Sequence, residues 1–253
     1  MVPFKNAYES HQHSLKTLEV LYGYDSFLDS IEVVADFGCG LGLDSQWWAN
    51  LETRDDPPEP RNYRVWSIDK NIERFDPEIS LLDNVYTFKE DIDGQHLSLP
   101  TKVDLIWCHD VFQYITDPIG SLRTWNENLN VNGMLLLIFP QASRYVYNRY
   151  QNTSYNGCFY NHNIVNLMYM LALNGFDCND AYFMKEENDP WIHAAVYKSD
   201  IAPMDPKTTS WYNLAELNLL NESVVESLNK YGHVKQEELV TAWLDKDFNY
   251  PKE

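Results

Sequence analysis

Basic residues are scarce in this chain. Among its 253 residues, 19 lysines and arginines stand against 38 aspartates and glutamates, so the formal net charge is −19. A surface this acidic repels the phosphates of nucleic acids and of anionic membrane leaflets. The composition therefore argues against nucleic-acid and membrane partners, although a nucleotide-sized ligand still fits a neutral pocket.

Cysteines and long apolar runs are also in short supply. The four cysteines lack C-x-x-C or zinc-like spacing, so we expect free thiols and no metal site. The apolar runs 134–139 and 167–173 are too short to span a bilayer. Residues 1–14 are polar and carry no apolar signal core, so we predict a cytoplasmic protein.

The chain does contain short apolar strands that alternate with helical patterns. Such strands predict a parallel sheet covered on both faces, and the turn-rich segment between 176–184 and 191–198 predicts a terminal hairpin. We therefore expect an α/β fold with a seven-stranded, mostly parallel sheet, helices on both faces and an antiparallel terminal hairpin. The predicted divisions are an N-terminal helical cap over 1–30, a core over 31–200 and a helical C-terminal extension over 201–253. In that extension an apolar helical stripe over 214–228 ends at Gly232, and a further helix is predicted over 236–244.

The strongest local signal is the segment Asp36–Gly42, which reads DFGCGLG, follows a strand and opens a helix. Glycines at such a position permit a sharp turn and a close approach of a ligand to the backbone. The spacing is G-x-G-x-G rather than that of a pyrophosphate-binding turn, and no Gly-Lys-Ser/Thr of a P-loop follows. The segment predicts a ligand-binding turn, with a purely structural turn as the alternative.

A second signal is Asp69 at the end of the next predicted strand. A carboxylate there can accept two hydrogen bonds from a ribose diol. The separation from the glycine segment exceeds the usual spacing, and the proline-rich insertion at 52–64 accounts for the excess. The alternative for Asp69 is a solvated aspartate at a strand end.

In this order the motifs resemble those of the class I, Rossmann-like S-adenosylmethionine (SAM)-dependent methyltransferases. The glycine segment resembles the first motif and Asp69 its ribose-binding acidic residue, while Glu90–Ile92 resembles the third motif. Residues 103–110 resemble the fourth motif, and 129–138 resemble the turn and strand that follow. That turn departs from the pattern, because its proline is absent and only Gly133 of its two glycines remains.

The resemblance implies SAM as cofactor, S-adenosylhomocysteine (SAH) as product and the class I methyltransferase fold. Asp36 suits the amino-acid end of the cofactor, and the third-motif aspartate and its apolar neighbour suit the adenine. The predicted cofactor-binding residues are Asp36, Gly38, Cys39, Gly40, Gly42, Asp69, Lys70, Asp91, Ile92, Cys108 and His109.

Candidate bases follow the fourth predicted strand. His109 is expected near the methionine part of the cofactor, with a packed, loop-fixing histidine as the alternative, and Asp110 is next to it. Tyr114 stands where many relatives carry a histidine. His162 is a further candidate, with a place beside a helix start as the alternative. No Asp/Asn-Pro-Pro-Tyr motif follows this strand, which disfavours amino methylation of DNA bases.

The acceptor site is predicted from aromatic and basic residues near the N-terminus and after the fifth strand. Tyrosine rings can surround a cationic amine, whereas arginines can hold a carboxylate or phosphate, and ordinary packing is the alternative. The predicted substrate-binding residues are Tyr8, His13, Arg144, Tyr145, Arg149 and Tyr160.

The sequence therefore predicts a SAM-dependent methyltransferase that transfers a methyl group to O or N of a small-molecule acceptor by direct displacement. We expect a monomer or homodimer. One alternative is a different group transfer on the same fold, such as aminopropyl transfer, and another is a catalytically silent SAM- or SAH-binding module. A third, an RNA methyltransferase, is disfavoured by the charge unless a basic partner subunit assists.

Overall fold

The computed structural model describes residues 14, 24–94, 96–140, 162–184 and 191–235. The strands are β1 Val33–Phe37, β2 Arg64–Ile68, β3 Val85–Phe88, β4 Val103–His109, β5 Leu129–Pro140, β6 Phe176–Met184 and β7 Trp191–Lys198. The helices are α1 Tyr24–Leu28, α2 Leu43–Ala49, α3 Pro118–Asn128, α4 Ile164–Leu173, α5 Trp211–Glu216 and α6 Glu222–Tyr231.

Within these residues the strands form one sheet in the order β3-β2-β1-β4-β5-β7-β6. Strands β1 to β5 pair in parallel, whereas β7 is antiparallel to both β5 and β6. The predicted α/β sheet and its terminal hairpin are therefore confirmed. The strand order reverses between β1 and β4, and in open α/β sheets ligands bind at the carboxyl ends of the strands beside such a switch point.

The central strands are buried on both sides, which explains their continuous apolar sequences. Along β4, Leu105 and Trp107 pack into one apolar layer, while Ile106 and Cys108 pack into the other. Alternate side chains of a strand point to opposite faces, so each face needs its own cover. Helix α2 packs on the face of Trp107, while α3 and α4 pack on the opposite face.

Local signals explain where α3 and β5 begin. The Asp117 side chain accepts a hydrogen bond from the Gly120 amide at 2.9 Å, and Pro118 takes the first helical position, where its missing N–H costs nothing. Strand β5 starts directly after α3, earlier than the predicted strand over 134–139. Asn132 adopts φ +63° within it, a left-handed conformation that asparagine tolerates, so the departure from the family's glycine pair is accommodated.

The described part of the predicted C-terminal extension, residues 201–235, contains two helices where the sequence shows one apolar stripe over 214–228. Helix α5 ends at Glu216, and α6 begins after Asn221, whose side chain accepts a hydrogen bond from the Val224 amide. The apolar side chains of both helices, including Leu214 and Leu228, belong to the same buried core as α4. The predicted helix over 236–244 lies outside the described residues.

Three cysteines, Cys39, Cys108 and Cys178, are buried free thiols. Burial raises the pKa of each, so the thiols stay protonated at neutral pH. Cys158 lies outside the described residues. None of the described helices has the length and apolarity needed to cross a membrane.

Candidate functional site

The three glycines of the turn differ in the space available for an added side chain. Gly38 and Gly42 have φ of +74° and +87°, and a Cβ there would lie 2.5 Å from Val111 and 2.3 Å from the Phe75 ring. Gly40, at φ +53°, has the Gly38 carbonyl, at 4.0 Å, as the nearest atom of the described residues to such a Cβ. Gly38 and Gly42 are thus required by packing, while the backbone at Gly40 is open to a ligand.

Asp36 is a buried carboxylate under this turn, with 2% of its surface exposed. The Ser45 hydroxyl donates a hydrogen bond to Asp36 Oδ2 at 2.6 Å, and Ser67 donates to Ser45 Oγ at 2.7 Å. Burial, with the charge of nearby Asp44, raises the pKa of Asp36 well above its ordinary value. A cationic ligand group at this position stabilises the ionised carboxylate, so the site favours an ammonium or a sulfonium.

Asp36→Asn is therefore expected to stabilise the ligand-free protein at neutral pH. Because the pKa of Asp36 is raised in the folded state, its contribution to stability is full at low pH and is lost as the pH rises through that value. Asparagine removes the buried charge but still accepts the Ser45 hydrogen bond. We expect the variant to melt several degrees above wild type near about pH 8, with a difference that shrinks towards about pH 4.

The control for this comparison is Asp83→Asn, at an exposed carboxylate. Thermal unfolding of the three proteins at both pH values checks the expectation. A variant that is less stable than wild type near pH 8, or a difference that does not depend on pH, would contradict it.

Asp69 connects the end of β2 to the glycine turn. Its Oδ2 accepts a hydrogen bond from the Gly40 amide at 3.1 Å, and its Oδ1 accepts one from the Asn71 amide at 2.7 Å. The turn is also held to β2 by the Gly38 amide, which donates to the Ile68 carbonyl at 2.8 Å. A carboxylate oxygen has more than one lone-pair site, so Asp69 can still accept from a diol beside Gly40. Lys70, next to it, is exposed.

The connection after β3 is fixed by Asp93, which sequence reasoning missed. Its carboxylate accepts hydrogen bonds from the Thr116 amide at 2.8 Å and the Asp117 amide at 3.0 Å, as well as from the Thr116 hydroxyl. Partial burial opposes ionisation, but these hydrogen bonds hold the pKa of Asp93 below its ordinary value. Asp91 is exposed, and Ile92 is buried with its carbonyl accepting from the Trp125 indole at 3.0 Å. Asp93 therefore holds this connection against the start of α3.

His109 at the end of β4 contacts a second residue that the sequence did not reveal, Asp44 in the first turn of α2. Asp44 Oδ2 accepts a hydrogen bond from Trp107 Nε1 at 3.0 Å and lies 3.1 Å from His109 Nδ1. An ionised carboxylate only accepts hydrogen bonds, so the proton of the neutral imidazole lies on Nδ1. His109 Nε2 is then an acceptor, as a general base requires.

We predict that His109 is present mainly as the Nδ1–H tautomer, and that Asp44→Ala shifts it towards the commoner Nε2–H form. Long-range proton–nitrogen spectra of histidine-labelled protein measure this. The resonance that disappears in His109→Asn identifies the residue, and Asp83→Ala is the control. A wild-type His109 already in the Nε2–H form would contradict the assignment of Asp44 as its positioning residue.

Asp110 and Tyr114 follow His109 on the same connection. Asp110 adopts φ +56°, and its Oδ1 accepts a hydrogen bond from Gln113 Nε2 at 2.6 Å. Burial raises the pKa of Asp110 above its ordinary value. Tyr114 ends the short 3-10 turn Phe112–Tyr114 and is half-buried. Asp110 thus lies directly beside His109, and Tyr114 lies further along the same connection.

His162 lies immediately before Asn163, the capping residue of α4. Its ring is buried against Phe112 and Phe139, with centroids 4.9 and 5.7 Å away. Burial lowers the pKa of His162 to about 4, so the ring is neutral at physiological pH. This placement matches the alternative of a residue beside a helix start, and the catalytic role of His162 stays a prediction.

The structure brings most of the predicted cofactor residues to the carboxyl ends of β1, β2, β3 and β4. Asp69 is hydrogen-bonded to the glycine turn at Gly40, and Asp36 directly precedes that turn and accepts from Ser45. Cys108 and His109 end the adjacent strand β4. The predicted acceptor residues Tyr8, His13, Arg144, Tyr145, Arg149 and Tyr160 lie outside the described residues and stay predictions.

The sheet order and the glycine turn at its switch point are those of the class I methyltransferase fold, so the fold predicted from the resemblance is confirmed. No protein-family model and no curated protein matches the sequence. The likeness to solved structures is therefore one of fold.

Three solved structures illustrate this likeness. Magnesium protoporphyrin IX methyltransferase (ChlM) from Synechocystis PCC 6803 has a TM-score of 0.52 and 17% identity, over 79% of this chain and 89% of its own. N-methyltransferase NodS from Bradyrhizobium japonicum has a TM-score of 0.52 and 13% identity, over 77% and 98%. A SAM-dependent methyltransferase from Mesorhizobium loti has a TM-score of 0.52 and 14% identity, over 65% and 90%.

Proposed function

We propose that this protein is a SAM-dependent methyltransferase that transfers a methyl group to O or N of a small molecule by direct displacement. The proposal rests on how Asp36, Gly40 and Asp69 are arranged at the switch point of the sheet. A buried Asp36 carboxylate lies beneath a glycine turn that is open at Gly40, and Asp69 is hydrogen-bonded to that turn.

The residues present fit the chemistry of SAM. Asp36, whose ionised form is destabilised by burial, would pair with the ammonium of the amino-acid end. Asp69 would accept from the ribose diol, and Asp91 and Ile92 would contact the adenine. When bound, SAM supplies an electrophilic methyl group on a sulfonium.

The chain's own residues at the ends of β4 and β5 would position the acceptor, exclude water and take up a proton. Direct displacement requires the acceptor atom to be positioned in line and water to be excluded. His109, with its proton on Nδ1 towards Asp44, offers Nε2 to take a proton from a hydroxyl or ammonium acceptor. Asp110 and Tyr114 lie on the same connection as His109 and would assist this proton transfer.

The named neighbours support the reaction class. NodS is an N-methyltransferase, and ChlM acts on magnesium protoporphyrin IX, a small molecule. The charge of −19 supports a small-molecule acceptor over a nucleic acid. We place the protein in the cytoplasm, as a monomer or homodimer with a core over 31–200.

The test uses SAM with a deuterated methyl group and panels of amines, phenols and carboxylates. Mass spectrometry of the products should find the heavy methyl on an acceptor from one panel, together with SAH. Transfer of another part of the cofactor, with the heavy methyl left on the sulfur, would indicate the alternative group transfer. Bound SAH without turnover on any panel would favour the silent binding module.

A further inference from the structure

A cavity of about 630 Å³ has a lining that includes neither the glycine turn nor Asp69. It is formed between the start of α3, the outer face of α4 and the start of α5. Its walls include Thr116, Asp117, His162, Tyr169, Met170 and Trp211. Cavities of this size and mixed lining are typical of small-molecule sites. None of these residues belongs to the cofactor or acceptor set predicted from the sequence, and His162 is the one predicted as a catalytic candidate.

One wall is a preformed pair of aromatic rings. The centroids of Tyr169 and Trp211 lie 5.1 Å apart at 50°. The Tyr169 hydroxyl donates to the Thr209 carbonyl at 2.6 Å, and Ser210 and Asn213 form a reciprocal capping box that fixes the start of α5 at Trp211. Both rings are only half-buried. The backbone thus holds two large apolar surfaces at the cavity without covering them.

The charge of the lining restricts what the cavity can hold. Asp117 is the one charged residue among the ten that line it, and no lysine or arginine is in that set. The low pKa of His162 leaves its imidazole neutral. Among these described residues an anionic ligand would find no counter-charge, whereas a cation gains from the ring faces of tyrosine and tryptophan.

We propose that this cavity binds a planar aromatic compound that is uncharged or carries an ammonium group, with its ring against Tyr169 and Trp211. The proposal goes beyond the methyltransferase function and does not depend on it. The cavity is linked to the proposed cofactor site by hydrogen bonds. The Thr116 and Asp117 amides in its wall donate to Asp93, which lies two residues after Asp91.

The test is a titration of the protein with indole and tryptamine, followed by ligand-observed nuclear magnetic resonance or calorimetry. Indole-3-propionate serves as the anionic counterpart of similar size. We expect saturable binding of indole and tryptamine, and binding of the anion that is weaker by about tenfold or more.

Two variants locate the site. Asn166→Trp places a large side chain at an exposed lining position and fills the cavity, while Trp211→Ala removes one ring. Each should weaken indole and tryptamine binding by about tenfold or more. Tyr212→Ala, at the neighbouring half-exposed residue outside the lining, is the control and should bind like wild type.

Thermal unfolding of each variant shows that the fold is kept, and each variant is also titrated with SAH. Absence of saturable indole and tryptamine binding to wild type would overturn the proposal. Undiminished binding to Asn166→Trp, or tighter binding of the anion than of tryptamine, would overturn it as well. The SAH titration reports on the proposed function separately.

Discussion

Asp69→Ala should lower the affinity for SAH by about 100-fold or more while the protein stays folded. Asp69 lies beside the open backbone at Gly40, where its two oxygens would accept from the ribose diol. Hydrogen bonds to a charged acceptor each contribute about 1.5–3 kcal/mol, so the loss of two accounts for an effect of this size. Calorimetric titration measures it directly.

Some of the effect of Asp69→Ala would come through the turn itself, because the side chain also accepts from the Gly40 and Asn71 amides. Asp69→Asn keeps one acceptor oxygen and should lose less affinity than Asp69→Ala. Asp83→Ala, at an exposed carboxylate before β3, should bind SAH like wild type. An unchanged SAH affinity in Asp69→Ala would contradict the assignment of Asp69 as the ribose-binding residue.

Alanine at Gly38 should destabilise the fold more than alanine at Gly40. At Gly38 the added methyl would lie 2.5 Å from Val111 in a left-handed backbone, so overpacking adds to strain. Together these cost about 2–5 kcal/mol, which lowers the melting temperature by about 10 °C. At Gly40 the strain remains but the contact is absent, so we expect a loss of only about 4 °C.

SAH affinity should distinguish Gly40→Ala from a control variant at Gly232. The Gly40 methyl would enter the open space beside Asp69, so Gly40→Ala should lose SAH binding while still folded. Gly232→Ala is the matched control, because Gly232 has φ +73° and caps α6, and no atom of the described residues lies within 4 Å of an added Cβ. Binding by Gly40→Ala as tight as by Gly232→Ala would show that the open side of the turn is not the ligand side.

The sheet was predictable because each strand has a direct signature in the chain. Strands β1, β4 and β5 are apolar on both faces, and only a covered parallel arrangement buries them. The end of α6 at Gly232 was also visible, since glycine adopts the left-handed cap there. The break between α5 and α6 was not, because the apolar spacing continues across 217–221 while the Asn221 cap starts a new helix.

The candidate site likewise contains residues that the sequence reveals and residues that it does not. The glycine turn, Asp36 and Asp69 follow strands at fixed spacing, so the sequence reveals them. Asp44 and Asp93 depend on partners far along the chain, 63 residues to Trp107 and 23 to Thr116. Asp44 looks like any acidic residue in the first turn of a helix, which the helix dipole already favours. Only the folded sheet brings these partners together.

The central claim is that the switch point at Gly40 and Asp69 holds the cofactor. Calorimetric titration of SAH into the purified wild-type protein tests it most directly, after mass spectrometry of the denatured protein has shown that no cofactor was retained. We expect saturable binding with one SAH per chain. The absence of binding to ligand-free wild-type protein would contradict it.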